Sequence, residues 1–233
     1  MKALLFDFGG TIDTGGIHWF EKFWDLYSSI GIIMDREAFR EAFKYSEQQM
    51  SRTDVRKLNF LETYAKKITF QVEYMKKLGS LSYIDDIVRF SYNLAHICRQ
   101  EVEKHIKRNT ELLASLRKFF TMGVVSNYYG NLSLICNEFG IDCCFDFIVD
   151  STLAGIRKPD PAIFSLALRK ANCEPKDAFV IGDSYGNDIL PAHTLGCRTI
   201  WLKLKGWQEN NEEQKADYVV RELSEIKNIV IYQ

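Results

Sequence analysis

No apolar stretch in the 233 residues approaches the roughly 20 needed to span a bilayer, which excludes a transmembrane helix. Charge of one sign is also missing. Thirty basic and 31 acidic residues leave a formal net charge of −1, so no broad basic field exists to hold nucleic acid. The six cysteines are Cys98, Cys136, Cys143, Cys144, Cys173 and Cys197, with no C-x-x-C pair and no Cys/His group at zinc spacing. The adjacent Cys143-Cys144 pair is open in principle to redox chemistry. Small buried residues in a reducing compartment account for all six. Internal repeats and low-complexity tracts are absent, and the charge run Glu209–Lys215 reads as a solvated loop. The opening Met1-Lys2-Ala3-Leu4-Leu5-Phe6-Asp7 meets an acid too early for a signal-peptide core. It reads as the first strand of a cytoplasmic protein.

What is present is the balance of a globular chain, 46% hydrophobic and 26% charged, long enough for a core domain with an insertion. Residues 1–8 read as a strand. From Ile17 to Lys107 the pattern is helical, with Trp19, Phe20, Phe23, Trp24 and Tyr27 on one apolar face. Further helices are expected at Arg36–Met50, Leu58–Leu78 and Tyr83–Val102, with breaks at Gly31 and Gly79-Ser80. Thereafter helices and strands alternate: helix Glu111–Phe119, strand Met122–Ser126, helix Leu132–Phe139, strand Phe145–Val149 and helix Pro161–Ala171. Strand Ala178–Ile181, helix Asp188–Leu195, strand Arg198–Leu202, strand Tyr218–Val220 and a helical tail Glu222–Ile226 complete the run. Such alternation predicts βαβ units and a parallel sheet, an α/β fold. The first strand belongs to that sheet, so the helical block interrupts it: residues 1–16 and 108–233 form the core, and 17–107 the insertion.

Four elements at strand ends carry chemistry-bearing residues. Asp7 opens Asp7-Phe8-Gly9-Gly10-Thr11, where an aspartate can be metal ligand, nucleophile or the cap of the next helix. Ser126-Asn127 ends the second; a hydroxyl and an amide there can hold phosphate oxygens or simply cap a helix. Lys158 sits before Pro159-Asp160-Pro161, with Asp160 expected to cap the helix that Pro161 begins. A lysine fixed before a rigid turn can offset the charge of a phosphate and of an attacking carboxylate. The fourth is Gly182-Asp183-Ser184-Tyr185-Gly186-Asn187-Asp188. Two acids five apart on a strand-to-helix loop suit a metal ligand and a supporting partner. At the carboxyl edge of a parallel sheet, Asp7 and Asp183 would make a hard oxygen site suited to Mg²⁺ and a phosphate.

In order, spacing and context these motifs resemble the haloacid dehalogenase (HAD) superfamily, and the match runs over the whole chain. The resemblance implies a Rossmann-like parallel core with an inserted all-helical cap of the first type that closes over the site. It also implies a cytoplasmic hydrolase, a phosphatase acting on a small phosphorylated metabolite. Asp7 would be the nucleophile that forms an aspartyl-phosphate. Mg²⁺ would be held by Asp7, the main-chain carbonyl of Gly9 and Asp183. Ser126 and Asn127 would bind the phosphoryl group, and Lys158 would steady its charge and that of Asp7, with Asp188 orienting the lysine.

One position departs from that pattern. Most phosphatases of the family carry at position 9 a second aspartate, which protonates the leaving oxygen and then activates water; Gly9 can do neither. Losing a general acid/base costs roughly 10²–10⁴ in rate. His18 or a bound water is the candidate substitute. The alternatives are a phosphate- or partner-binding protein without turnover, and a relative that cleaves carbon–phosphorus or carbon–halogen bonds. The phosphonate reaction would use an insertion lysine, for which Lys44 is the candidate; the halide reaction would use an arginine that no pattern marks out. Neither the substrate nor the oligomeric state is encoded in a recognisable motif.

Overall fold

The computed structural model describes residues 2–205 and 216–232, so the charge run Glu209–Lys215 lies outside the described residues. Six strands form one all-parallel sheet: β1 Ala3–Phe6, β2 Thr121–Ser126, β3 Phe147–Asp150, β4 Ala178–Gly182, β5 Arg198–Leu202 and β6 Tyr218–Val220. Their order is β3-β2-β1-β4-β5-β6. The chain therefore works outward on one side of β1, returns, and works outward on the other. That reversal leaves a crevice beyond the carboxyl ends of β1 and β4, where open α/β sheets bind ligands. Phe6 is in register with Val124 on one side and Ile181 on the other, so Asp7 emerges at that crevice.

Between β1 and β2 lie four helices: α1 Trp19–Ser29, α2 Arg36–Arg52, α3 Phe60–Lys77 and α4 Ile87–Leu116. Their starts are encoded locally. Asp35 and Asp86 accept the amides of Ala38 and Arg89, and Asn59 with Glu62 forms a reciprocal capping box. Among the described residues, the insertion's only β contact is a single bridge between Ile17 and Lys205. After β2 come α5 Leu132–Glu138, α6 Ser151–Ala154, α7 Ala162–Ala171, α8 Leu190–Thr194 and α9 Ile226–Ile231. The Asp160 carboxylate accepts the Ala162 amide, so α7 begins one residue later than Pro161 suggests.

Alternation along the strands divides the core. Ala3, Leu5, Val125 and Val180 pack beneath Ile163, Phe164 and Ala167 of α7. Leu4, Phe6, Val124 and Ile181 belong to a larger cluster that runs from Leu113 and Leu116 of α4 into the insertion's Phe20, Phe23 and Phe60. Sheet and insertion thus share one continuous apolar core. All six cysteines are free thiols; four are buried, but Cys143 is exposed and Cys173 half-buried, so burial does not account for all six as expected.

The structure corrects two helical readings of the sequence. The tail expected at Glu222–Ile226 is a short turn, Leu223–Glu225, that leads into α9 at Ile226–Ile231. The helices expected at Tyr83–Val102 and Glu111–Phe119 are one 30-residue helix, α4. The division between residues 107 and 108 falls inside it. Nothing between Val102 and Glu111 breaks a helix: the segment is polar but holds neither glycine nor proline. Val102, Ile106, Asn109 and Leu113 continue one buried stripe through it, and the Asn109 amide donates to the Ile12 carbonyl at 3.1 Å. Lys107–Thr110 is therefore a helical strut and not a flexible joint between insertion and core. In native-state hydrogen exchange, the amides of 107–112 should be as protected as those of 98–104. Locally fast exchange confined to 107–112 would show a hinge and contradict this description.

Candidate active site

Asp7 follows β1 directly, its amide donating to the Ile181 carbonyl at 2.8 Å. Its carboxylate does not cap the turn that follows. Instead Oδ1 accepts the Lys158 ammonium at 2.6 Å and the Ser126 hydroxyl at 2.9 Å. Oδ2 has only a long contact to Thr11 Oγ1, at 3.4 Å. Of the three sequence-level options for Asp7, the helix-cap role is thereby removed.

Lys158 is held from both ends. Its Nζ lies 2.5 Å from Asp188 Oδ1 as well as against Asp7. Its main chain is clamped by Asn127, whose Oδ1 accepts the Lys158 amide at 2.9 Å and whose Nδ2 donates to the Lys158 carbonyl at 3.0 Å. Asn127 borders the cavity, yet its side-chain oxygen and one of its amide hydrogens are committed to placing the lysine. Burial works against the Lys158 charge, but Asp188 and Asp7 outweigh it and hold its pKa above the ordinary lysine value. Asp188 is fixed in turn by the Ser184 amide at 3.0 Å; burial raises its pKa to about 6 against the pull of Lys158.

Asp183 follows β4, where the Trp201 indole donates to its carbonyl at 2.9 Å. Thr11 Oγ1 bridges the two strand ends, 3.3 Å from Asp183 Oδ1. Burial, and then the neighbouring charges of Asp7 and Asp188, push the Asp183 carboxyl well above its usual range. Its Oδ2 is buried and has no hydrogen-bond partner. Ligand oxygens of Asp7, Asp183 and Asp188 all lie within 4.8 Å of one another. Three carboxylates around one ammonium leave an excess of negative charge, and one of their oxygens has no partner. This donor set suits a hard divalent cation.

The glycines of these motifs differ in kind. A Cβ on Gly10, whose φ is +103°, would stand 2.5 Å from the Asp183 carboxylate. On Gly182 it would stand 2.4 Å from Asp188. Both glycines let two chain segments meet. Gly9 is not constrained in this way: φ is −76°, ψ is 108°, and a Cβ would meet only the Trp19 indole at 3.6 Å. The backbone thus permits a side chain where the sequence has none. That indole is pinned by its Nε1–H donating to Asp13 at 2.8 Å. Asp13 is fully buried and also accepts the Gly10 amide at 2.7 Å. Burial raises its pKa to about 7, although those two donors oppose the rise.

These groups line a cavity of ≈ 280 Å³ that reaches between the strand ends and the insertion. Asp7, Gly9, Ser126, Asn127, Lys158, Asp183 and Asp188 all border it. His18 does too. Its Nδ1 accepts the Phe20 amide at 3.1 Å, and burial, then Lys67, lower its pKa to about 4. It is a neutral ring with its proton on Nε2, and the nitrogen that would take up a proton is occupied. Lys44 is exposed and pairs with Glu41; the lysine that the insertion brings to the cavity is Lys67. Lys67 pairs with Glu47, and Tyr129 bonds both. Arg157 borders the cavity as well. Sequence reasoning passed over Thr11, although it closes the first motif. It read Trp19 only as an apolar helix position. Glu47 and Lys67 look like any charged residues on amphipathic helices, so no local signal marks them.

The haloacid dehalogenase-like hydrolase family profile matches residues 1–196. Glyceraldehyde 3-phosphate phosphatase of Pyrococcus furiosus is 35% identical over 92 residues, 39% of this chain and 38% of that protein. Haloacid dehalogenase-like hydrolase domain-containing protein 3 of Danio rerio is 36% identical over 104 residues, 45% of this chain and 43% of that protein. The chain thus aligns with less than half the length of these curated relatives. A HAD hydrolase of Bacillus subtilis bound to magnesium has the same fold, with TM-score 0.58 and 18% identity over 98% of both chains. Among the described residues, no helix is long and apolar enough to cross a membrane.

The two kinds of glycine should separate in urea unfolding. Gly182→Ala should cost about 1–3 kcal/mol, because Asp188 is tied to Lys158 and cannot yield. Gly9→Ala should be neutral or stabilising by about 0.5 kcal/mol, since its dihedrals suit any residue. Equal losses at both positions would mean that the Trp19 wall, and not motif geometry, sets the tolerance.

Proposed function

The chain belongs to the haloacid dehalogenase-like hydrolases, and on that premise we propose that it is a Mg²⁺-dependent phosphatase of a small phosphorylated metabolite. One observation carries the reading. The Asp7 carboxylate is withdrawn from the helix cap its position offers, and meets Lys158, Ser126 and the Asp183 side of a buried cavity. The named activity of the P. furiosus relative supports the phosphatase class.

In this reading an oxygen of Asp7 attacks phosphorus and the bond to the leaving oxygen breaks, giving an aspartyl-phosphate that water hydrolyses. Lys158 offsets the charge on Asp7 and the phosphoryl oxygens, and Ser126 donates to the latter. Asp188 and Asn127 keep Lys158 in place. Asp7, the Gly9 carbonyl and Asp183 would hold Mg²⁺, which supplies charge neutralisation and alignment of the phosphoryl group. The helical insertion between β1 and β2 acts as the cap that excludes water from the cavity. Six free thiols fit a reducing, cytoplasmic setting.

Gly9 sets the kinetics. Position 9 itself carries no side chain, Trp19 lies against it and His18 has its pKa lowered, so neither position 9 nor His18 supplies an acid to protonate a leaving alkoxide or a carboxylate to activate water. p-Nitrophenyl phosphate, whose leaving group needs little help, should therefore give a burst near one equivalent and then slow turnover. Gly9→Asp should accelerate the slow phase by roughly 10- to 10³-fold, and should help an alkyl phosphate more than the activated ester. Rapid wild-type turnover of alkyl phosphates, unchanged in Gly9→Asp, would mean that another group moves the proton. If Asp7 is never phosphorylated in either protein, the phosphatase reading gives way to a phosphate-binding protein without turnover. The missing side chain at Gly9, where the backbone would permit one, is the observation that favours that second reading.

A further inference from the structure

On the wall of the cavity supplied by the insertion, three polar residues close on one another. Lys67 of α3 forms an ion pair with Glu47 of α2. Tyr129, from the loop after β2, accepts from Lys67 at 3.0 Å and donates to Glu47 at 2.8 Å. The Lys67 side chain is 5% exposed, and its ammonium lies 4.8 Å from the centre of the Phe43 ring. Burial works against the Glu47 charge, but Lys67 outweighs it and lowers the Glu47 pKa. The Glu47 side chain is 34% exposed, so the enclosed charge is that of Lys67, which is costly unless it is paired and bonded. Among the described residues, none of the three is among those placed at the reacting end.

Resting on the phosphatase reading only for which end of the ligand reacts, we propose that Lys67, Glu47 and Tyr129 form the leaving-group subsite. They select an uncharged carbon chain that carries hydroxyl groups. The hydrogen-bond inventory decides the chemistry. The Glu47 carboxylate has about four acceptor sites and uses two on Lys67 and Tyr129, while two of the three Lys67 protons are engaged. A hydroxyl both donates to the spare carboxylate capacity and accepts the remaining ammonium proton. The flanking rings of Phe43 and Tyr64 cover the carbon-bound hydrogens of such a chain. A second anion on the substrate would have to compete with Glu47 for Lys67 in a poorly solvated site. A terminal amine would meet Lys67 itself. The pair is close to neutral overall and favours neither. A cavity of ≈ 280 Å³ lies just below the usual range of roughly 300–1,000 Å³ for ligand sites, which suits a phosphoryl group and a short chain.

The test is binding to the Asp7→Asn protein with Mg²⁺, so that turnover plays no part. Titration calorimetry compares glycerol 3-phosphate, ethyl phosphate, phosphoglycolate and phosphoethanolamine. The hydroxylated ligand should bind about 10- to 100-fold more tightly than ethyl phosphate, because the shorter chain leaves the buried polar groups unanswered. The two charged-tail ligands should fall below it. In Lys67→Met/Glu47→Leu, which removes both charges together and so leaves neither stranded, the ratio of glycerol phosphate to ethyl phosphate should approach one. Tyr129→Phe, which removes only a hydroxyl, should reduce the ratio by a smaller factor and serves if the double variant does not fold. A ratio near one in the parent protein, preference for a charged tail, a ratio unchanged in the variants, or no binding by any ligand would each overturn the subsite. An intact ratio in a protein whose Asp7 is never phosphorylated keeps the subsite and retires the phosphatase reading. An active phosphatase with a flat ratio does the reverse.

Discussion

The Lys158 ammonium, enclosed between Asp7 and Asp188, is the interaction on which the rest of the site depends. Both flanking carboxylates are almost wholly buried, as is the lysine. In such surroundings an unpaired charge costs several kcal/mol, so the three groups stand or fall together. Each is fastened to a different part of the fold: Asp7 to the sheet, Asp188 to the Ser184 amide, and the Lys158 backbone to Asn127. The strand order brings these anchors to one crevice. The sheet topology does for charge what a core does for apolar groups, making separated segments compensate one another.

That the ammonium is outnumbered by carboxylates explains the open side of the cluster. Asp183 is raised by burial and by its neighbours and keeps an oxygen without a partner. Such an arrangement is unstable in electrostatic terms and asks for further positive charge. A native protein tolerates that kind of frustration where a ligand relieves it. The Trp19–Asp13 pair beside Gly9 is the contrasting case, because every polar atom it brings to the site is answered locally.

Much of this was legible in the sequence, for a physical reason. Strand ends that carry acid and glycine are short, contiguous signals, and a parallel sheet brings them together whatever joins them. Asp7, Ser126, Lys158, Asp183 and Asp188 could therefore be named before any geometry was known. Trp19, Glu47, Lys67 and Tyr129 could not. Their roles arise from helices and a loop meeting across space, and on a helix a buried charged pair has the same spacing as a solvated one. The α4 boundary failed for a related reason. A change from apolar to polar composition at residues 103–111 resembled a break, while the stripe Val102, Ile106, Asn109, Leu113 continued beneath it.

That unbroken helix has a mechanical consequence. At 1.5 Å per residue, α4 is a rod about 45 Å long. One end is seated under the sheet through Leu113 and Leu116, and the other carries the insertion through Leu94, Ala95 and Cys98. A rod cannot fold at its middle without breaking its hydrogen bonds. Any displacement of the insertion that leaves α4 intact is a tilt about the seated end, and a few degrees there become several ångströms at the far tip. Asn109, bonded to Ile12 in the turn that follows Asp7, sits near the pivot. The turn that follows Asp7 is thus attached where a lever moves least.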